Sequence, residues 1–234
     1  MAITLRQKNG SAQTGTLTAA PPAWGSATVA GNLLIMVGAE AAATAGTWPT
    51  LPAGWNVFAP TPAVFASAAG NPYGIFWKIA AGTDATPGAY GESSSTQNWV
   101  TYTYEFVNPL GWIASAADVG ACPAAGVAAV TKASGSTATL AQAQELAIAL
   151  MAGNAAVTAL TFTNGYTVDL PGTSNGKMWF GWKETVSTAA ESTTANWTTS
   201  TPCGCRVATF KTSAAAAPAG RSEITVVRRV WSGR

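Results

Sequence analysis

The residues that could do chemistry in this chain are few and scattered. Histidine is absent, which removes the commonest general base, proton shuttle and metal ligand at neutral pH. The acids are Glu40, Asp84, Glu92, Glu105, Asp118, Glu145, Asp169, Glu184, Glu191 and Glu223, no two of them adjacent. Two carboxylates could still meet in space, but nothing in the spacing marks the two-acid arrangement of a glycan hydrolase. Cys122, Cys203 and Cys205 are an odd set with no paired CxxC spacing, so no metal cage is implied. Cys203 and Cys205 are poor disulfide partners for each other, and any bridge would join one of them to Cys122. Free buried thiols in a reducing cytoplasm are the expected state. No catalytic, cofactor-binding or metal-binding residue is assigned, and the chain is expected not to be an enzyme.

Tryptophan is the other chemically suggestive residue. Ten of them in so uncharged a chain could stack on sugar rings, as aromatic faces do on planar and cationic groups. The competing expectation is core packing, favoured for Trp77, Trp99, Trp182 and Trp197 and less so for Trp24, Trp48, Trp112 and Trp231, which lie in loop-like or terminal stretches.

The elements that position these residues read as strands stated twice. Leu33 to Val37 is matched by Leu146 to Met151, Gly54-Trp55 by Gly165-Tyr166, Trp77-Lys78 by Trp182-Lys183, and Trp99 by Trp197, always in the same order and with a spacing that only shrinks. A period near a hundred residues is too long for a solenoid unit. It predicts two related sheet-forming halves. Leu33 to Val37 is apolar on both faces, which fits a strand covered on each side. Residues 141–153 lack β-branched side chains apart from Ile148, so a short helix competes there, and the repeat decides for a strand. In Trp99 to Phe106 the positions Val100, Tyr102, Tyr104 and Phe106 share one face, predicted to face the core, while Thr101, Thr103 and Glu105 would face solvent or a neighbour. Gly54 and Gly165 read as turns entering strands, where glycine supplies a φ that bulkier residues resist. Short strands are expected at 124–131 and 137–140 between the halves. Many short strands divided by Gly, Pro, Ser and Thr point to an all-β fold, an antiparallel β-sandwich or jelly roll built from two sequence-related halves. The expected organisation is N-terminal strands and a loop over 1–30, a first β half over 31–110, connecting strands over 111–143, a second β half over 144–213, and a linker with a basic C-terminal tail over 214–234.

That tail begins with an Ala- and Pro-rich linker and continues as Arg221-Ser222-Glu223-Ile224-Thr225-Val226-Val227-Arg228-Arg229-Val230-Trp231-Ser232-Gly233-Arg234. It carries all of the chain's positive balance. Its β-prone run could add a strand to a neighbouring subunit, so Ile224, Val226, Arg228, Arg229, Trp231 and Arg234 are the candidate partner-binding residues. Nucleic acid is disfavoured as the main partner, because no basic patch appears elsewhere. Charged residues make up 9% of the chain, against roughly 25% in ordinary soluble domains. A surface so neutral tends to associate, which suits a homo-oligomer or a subunit of a larger assembly. The N-terminus shows no apolar export signal, and no apolar run approaches the roughly 20 residues that span a bilayer, so no membrane role is expected.

The succession Gly31-Asn32-Leu33-Leu34-Ile35, Pro52-Ala53-Gly54-Trp55 and Phe76-Trp77-Lys78-Ile79-Ala80-Ala81-Gly82-Thr83-Asp84, followed by a Trp-bearing strand, resembles β-sandwich structural proteins of tailed bacteriophage virions. The basic tail after Gly220 departs from that pattern. The resemblance implies a non-enzymatic virion protein made in the host cytoplasm, a capsid decoration or accessory protein that binds major capsid or neighbouring copies. The alternative is a minor tail or receptor-binding module that recognises carbohydrate through exposed aromatics.

Overall fold

The two doubly apolar runs become the central strands of two antiparallel sheets. A computed structural model describes residues 2–14, 18–19, 21, 23–40, 51–58, 63–65, 71–88, 90–91, 98–123, 128–170 and 176–213. The first part of the chain carries β1 (Thr4–Thr14), β2 (Thr18–Ala19), β3 (Leu33–Glu40), β4 (Asn56–Val57), β5 (Ala63–Phe65), β6 (Asn71–Ile79), β7 (Tyr90–Gly91) and β8 (Asn98–Val107). The second part carries β9 (Trp112–Ala121), β10 (Ala129–Ser136), β11 (Leu146–Gly153), β12 (Thr161–Phe162), β13 (Thr167–Val168), β14 (Met178–Glu184), β15 (Ser192–Thr201) and β16 (Cys203–Thr212). The described residues contain no helix, and 146–153 is a strand.

One sheet runs β1-β8-β3-β6-β4, with β5 also on β6, and the other runs β9-β16-β11-β14-β13. The pairing pattern recurs between them. In the first, Ile35 lies opposite Trp77 and Tyr104, and Trp77 opposite Asn56. In the second, Ile148 lies opposite Trp182 and Ala208, and Trp182 opposite Thr167. Gly54 and Gly165, each two residues ahead of its short strand, have φ of 83° and 79°, as a turn that only glycine enters without strain requires. The segments 1–30 and 111–143 each give the large sheets one edge strand, β1 beside β8 and β9 beside β16.

The match of Trp99 with Trp197 does not hold in space. Glu40 pairs with Trp99 at the end of β3, and Gly153 pairs with Cys203 at the end of β11, so β16 is the counterpart of β8. Trp197 belongs to β15, in a separate three-stranded sheet ordered β10-β15-β12. Residues 137–140 are not a strand, although Thr137 N donates to Glu191 O and Leu140 N to Thr188 O.

The main core fills the space between the two large sheets. Leu33, Ile35 and Val37 of β3 and Tyr102, Tyr104 and Phe106 of β8 meet Leu146, Ile148 and Leu150 of β11, Phe180 of β14 and Phe210 of β16. Tyr104 stacks on Phe180 with ring centroids 3.8 Å apart, a geometry that adds about 1 kcal/mol to the burial itself. The Tyr102 and Tyr104 hydroxyls donate across the interface to Met178 O and Asp169 O, so the phenols enter the core without orphaned polar groups.

Both outer faces are also covered, which is why Leu33 to Val37 and β11 are apolar throughout. Trp24 and Trp55 pack on Leu34, Met36 and Phe76. Phe162, Tyr166, Ala195 and Trp197 pack on Ala147, Ala149 and Met151. The far face of β8 is accordingly not solvent-facing: Thr101, Thr103 and Glu105 are buried. Glu105 accepts hydrogen bonds from Val29 N at 2.8 Å, Asn32 Nδ2 at 2.6 Å, Gln7 Nε2 and Arg6 Nη1. Its carboxylate thereby pins the 23–32 segment across the sheet. Trp24 and Trp112, read from sequence as loop-like, are buried as well.

Candidate functional site

The candidate partner-binding residues Ile224, Val226, Arg228, Arg229, Trp231 and Arg234 lie outside the described residues. Within the described ones, the most informative feature is where the charges go. Every acidic side chain described has an intramolecular partner. Asp84 pairs with Lys78, Asp118 with Lys211 at 3.4 Å, Asp169 with Lys8, Glu191 with Lys183 at 2.8 Å, and Glu105 with Arg6. Glu184 accepts from Ile3 N at 3.0 Å, and Glu145 accepts from Gln142 N at 3.2 Å. Burial raises the pKa of Asp84, but Lys78, the Ala81 amide and Thr28 outweigh it and the net direction is down. Burial likewise opposes ionisation of Glu105, and its ring of donors reverses the sign, holding the carboxyl below its ordinary range.

The outer sheet presents an uncharged face. Thr131 and Thr161 are exposed and lie opposite half-buried Asn196 on β15, with Thr131 Oγ1 donating to Asn196 Oδ1 at 3.0 Å. Thr198, Thr199 and Ser200 continue the exposed stretch, and Val130 is 46% exposed beside it. This surface offers hydroxyls, amides and methyl groups.

Sequence spacing concealed one titratable cluster. Glu145, at the head of β11 and fully buried, lies beside Asp118 of β9 although the two are far apart in the chain. Glu145 Oε2 has no hydrogen-bond partner among the described residues. Asp118 Oδ2 accepts from Ala141 N at 2.9 Å, and the Gln142 side chain donates to Thr212 O and Oγ1. Burial first, and the neighbouring Asp118 second, push the Glu145 carboxyl up from 4.5 to about 7. The signal available in sequence was an acid immediately ahead of an entirely apolar strand. The Glu145 side chain is buried and is not among the residues that line the open cleft at Gln144, Glu184 and Thr185.

A second cluster lies between the large sheets. The Tyr73 hydroxyl is 3.3 Å from Cys122 Sγ, and the buried Arg206 guanidinium donates from Nη2 to Phe58 O at 3.2 Å. Burial raises the Tyr73 pKa well above its ordinary value and lowers that of Arg206. The three cysteines are free thiols, Cys122 half-buried and Cys203 and Cys205 buried. Burial pushes Cys203 up to about 11 and Cys205 up to about 12, which leaves both inert as nucleophiles.

An open cleft of about 400 Å³ is lined by Ala2, Gln144, Glu184, Thr185 and Val186. It holds no aromatic side chain. Among the described side chains, every Trp, Tyr and Phe is buried or half-buried, with Trp182 hydrogen-bonded to Asp169 and Trp179 to Gly176 O. No group of three or more Cys, Asp or Glu gathers as a metal cage among the described residues, and no helix there is long and apolar enough to cross a membrane. Comparison of the chain with protein-family models, with characterised proteins and with solved structures finds no match.

Proposed function

We propose that this chain is a non-enzymatic structural protein of a tailed bacteriophage virion, a capsid decoration or accessory subunit that binds neighbouring capsid or decoration subunits. The observation that carries the reading is the internal neutralisation of charge. Described carboxylates are spent on lysines, arginines and backbone amides of the same chain, and the outer β10-β15-β12 sheet meets solvent with Thr, Ser, Asn and Val. Long-range repulsion between copies is thereby weak, and neutral polar surface costs less to desolvate on packing than charged surface does. A core between the two large sheets, a further buried cluster on each outer face and a third sheet supply a block, and the tail beyond residue 213 supplies a tether.

The carbohydrate-binding alternative needs aromatic faces open to a sugar. The described tryptophans are committed to packing, so the decoration reading has the better support. The reading is tested by adding purified full-length chain to phage heads and pelleting them. Cosedimentation at a fixed copy number per head is the expected result, and a chain that stays in the supernatant as a monomer overturns it.

A further inference from the structure

The carboxyl pair of Asp118 and Glu145 sits where three parts of the fold are fastened together. Asp118 on edge strand β9 receives the amide of Ala141, and Glu145 receives the amide of Gln142. Gln142 reaches from the same connection to Thr212, the last residue of β16. Thr185, in the turn after β14, accepts from Glu145 N and donates its own amide to Glu145 O. The connection over 137–145 is thus held to the β9–β16 edge by Asp118, through the Ala141 amide, and by the Gln142 side chain, through Thr212, while Glu145 braces the connection from within by accepting from Gln142 N.

The charges around the pair decide how it can be held. Lys211 of β16 lies 3.4 Å from Asp118 Oδ1. The neighbours of Glu145 from the packed elements are Asp118 of β9, Thr209 of β16, Gln142 of its own connection and Thr185. The next acid, Glu184, is engaged by Ile3 N. None of the ion pairs among the described residues involves Glu145, and its Oε2 is buried without a hydrogen-bond partner among them. One proton on Glu145 shared toward Asp118 leaves the pair with a single negative charge, matched by Lys211. Loss of that proton to solvent leaves two carboxylates against one lysine, with Glu145 buried.

We propose that the Asp118–Glu145 pair is a proton-dependent latch: one proton between the two carboxyls holds the 137–145 connection on the β9–β16 edge, and the hold weakens as that proton becomes harder to keep. The inference is independent of the virion reading. The closed value for Glu145 is raised to about 7 from 4.5. A raised carboxyl value favours the closed state fully below the open-state value. That advantage is lost as pH climbs to 7, and little further change follows above it. The consequence is a C-terminal root and a Gln144 cleft rim that are tightest in acid and looser at neutral pH and above.

The test is amide hydrogen exchange on the full chain across pH 4 to 9, corrected for intrinsic exchange rates, comparing the native sequence with Glu145→Gln. Protection at Ala141 and Gln142 is expected to fall by on the order of a hundredfold between about pH 4.5 and 7 and then level off, while Glu145→Gln, whose amide mimics the protonated acid, stays flat. A native chain with no such fall, or a Glu145→Gln chain that keeps it, overturns the latch. Should Glu145→Gln fail to fold, infrared spectroscopy of the native chain decides alone. A protonated-carboxyl C=O band that titrates away near pH 7 is expected, and its disappearance with the ordinary carboxyls near pH 4 to 5 refutes the proposal.

Discussion

Replacing Glu105 removes the acceptor for four donors at once. Val29 N and Asn32 Nδ2 bond one carboxylate oxygen, and Arg6 Nη1 and Gln7 Nε2 bond the other; the Glu105 side chain itself has 0% exposure. Hydrogen bonds to a charged group contribute about 1.5–3 kcal/mol each but are far from additive within one network. Breaking a buried charged network from one side costs about 3–5 kcal/mol. Glu105→Ala is therefore expected to lose about 3–5 kcal/mol, a large part of the roughly 5–15 kcal/mol margin of a folded domain. Glu105→Gln keeps the shape but turns an NH₂ group toward donors, and about 2–3 kcal/mol is expected. The two variants also differ from the native chain in pH response. Because the folded pKa of Glu105 is depressed, its contribution is fully present above the unfolded value of 4.5 and is lost as pH falls through the folded value. Urea unfolding followed by tryptophan fluorescence at pH 7, and again from pH 6 down to 3, measures both effects. A Glu105→Ala midpoint within about 1 kcal/mol of native, or an acid-side slope undiminished in Glu105→Gln, would refute the assignment of this network as the fastening of the 23–32 segment.

Other consequences are simpler to check. A Cβ on Gly204 would lie 2.5 Å from the Tyr73 ring and hydroxyl, so Gly204→Ala is expected to cost about 1–3 kcal/mol in the same urea assay, and an unchanged midpoint would contradict the close packing of β16 on β6. A water-soluble thiol reagent should modify Cys122 in the native chain and reach Cys203 and Cys205 only after denaturation, since those two are buried with thiols pushed up to about 11 and 12; mass spectrometry of the adducts identifies the site. Deleting residues 214–234 should leave the unfolding midpoint within about 0.5 kcal/mol of native while weakening incorporation into particles, and full incorporation of the shortened chain would remove the tether.

The parts of the fold that were legible in the sequence are those where one strand's neighbours leave a local mark. Leu33 to Val37 and Leu146 to Met151 announce their double-sided burial because every position must be apolar. Gly54 and Gly165 announce a shared turn because the backbone there needs positive φ. Trp99 and Trp197 misled because a tryptophan followed by alternating residues describes any half-buried strand, and β15 forms its own sheet rather than the counterpart of β8. Glu105 looked outward by alternation alone, because the 23–32 segment that covers it makes its contacts through backbone and amide groups whose placement no periodicity records. The Asp118–Glu145 pair was out of reach for the same reason. Only the order β9-β16-β11 brings the two strands to opposite sides of β16, and that order is a property of the sheet rather than of either segment.

The most direct test of the assembly role is electron microscopy of virions carrying this chain with a gold-labelled affinity tag. The account predicts gold distributed over the head shell at a regular spacing. Gold confined to the tail tip, or particles that assemble fully and bear none, would contradict it.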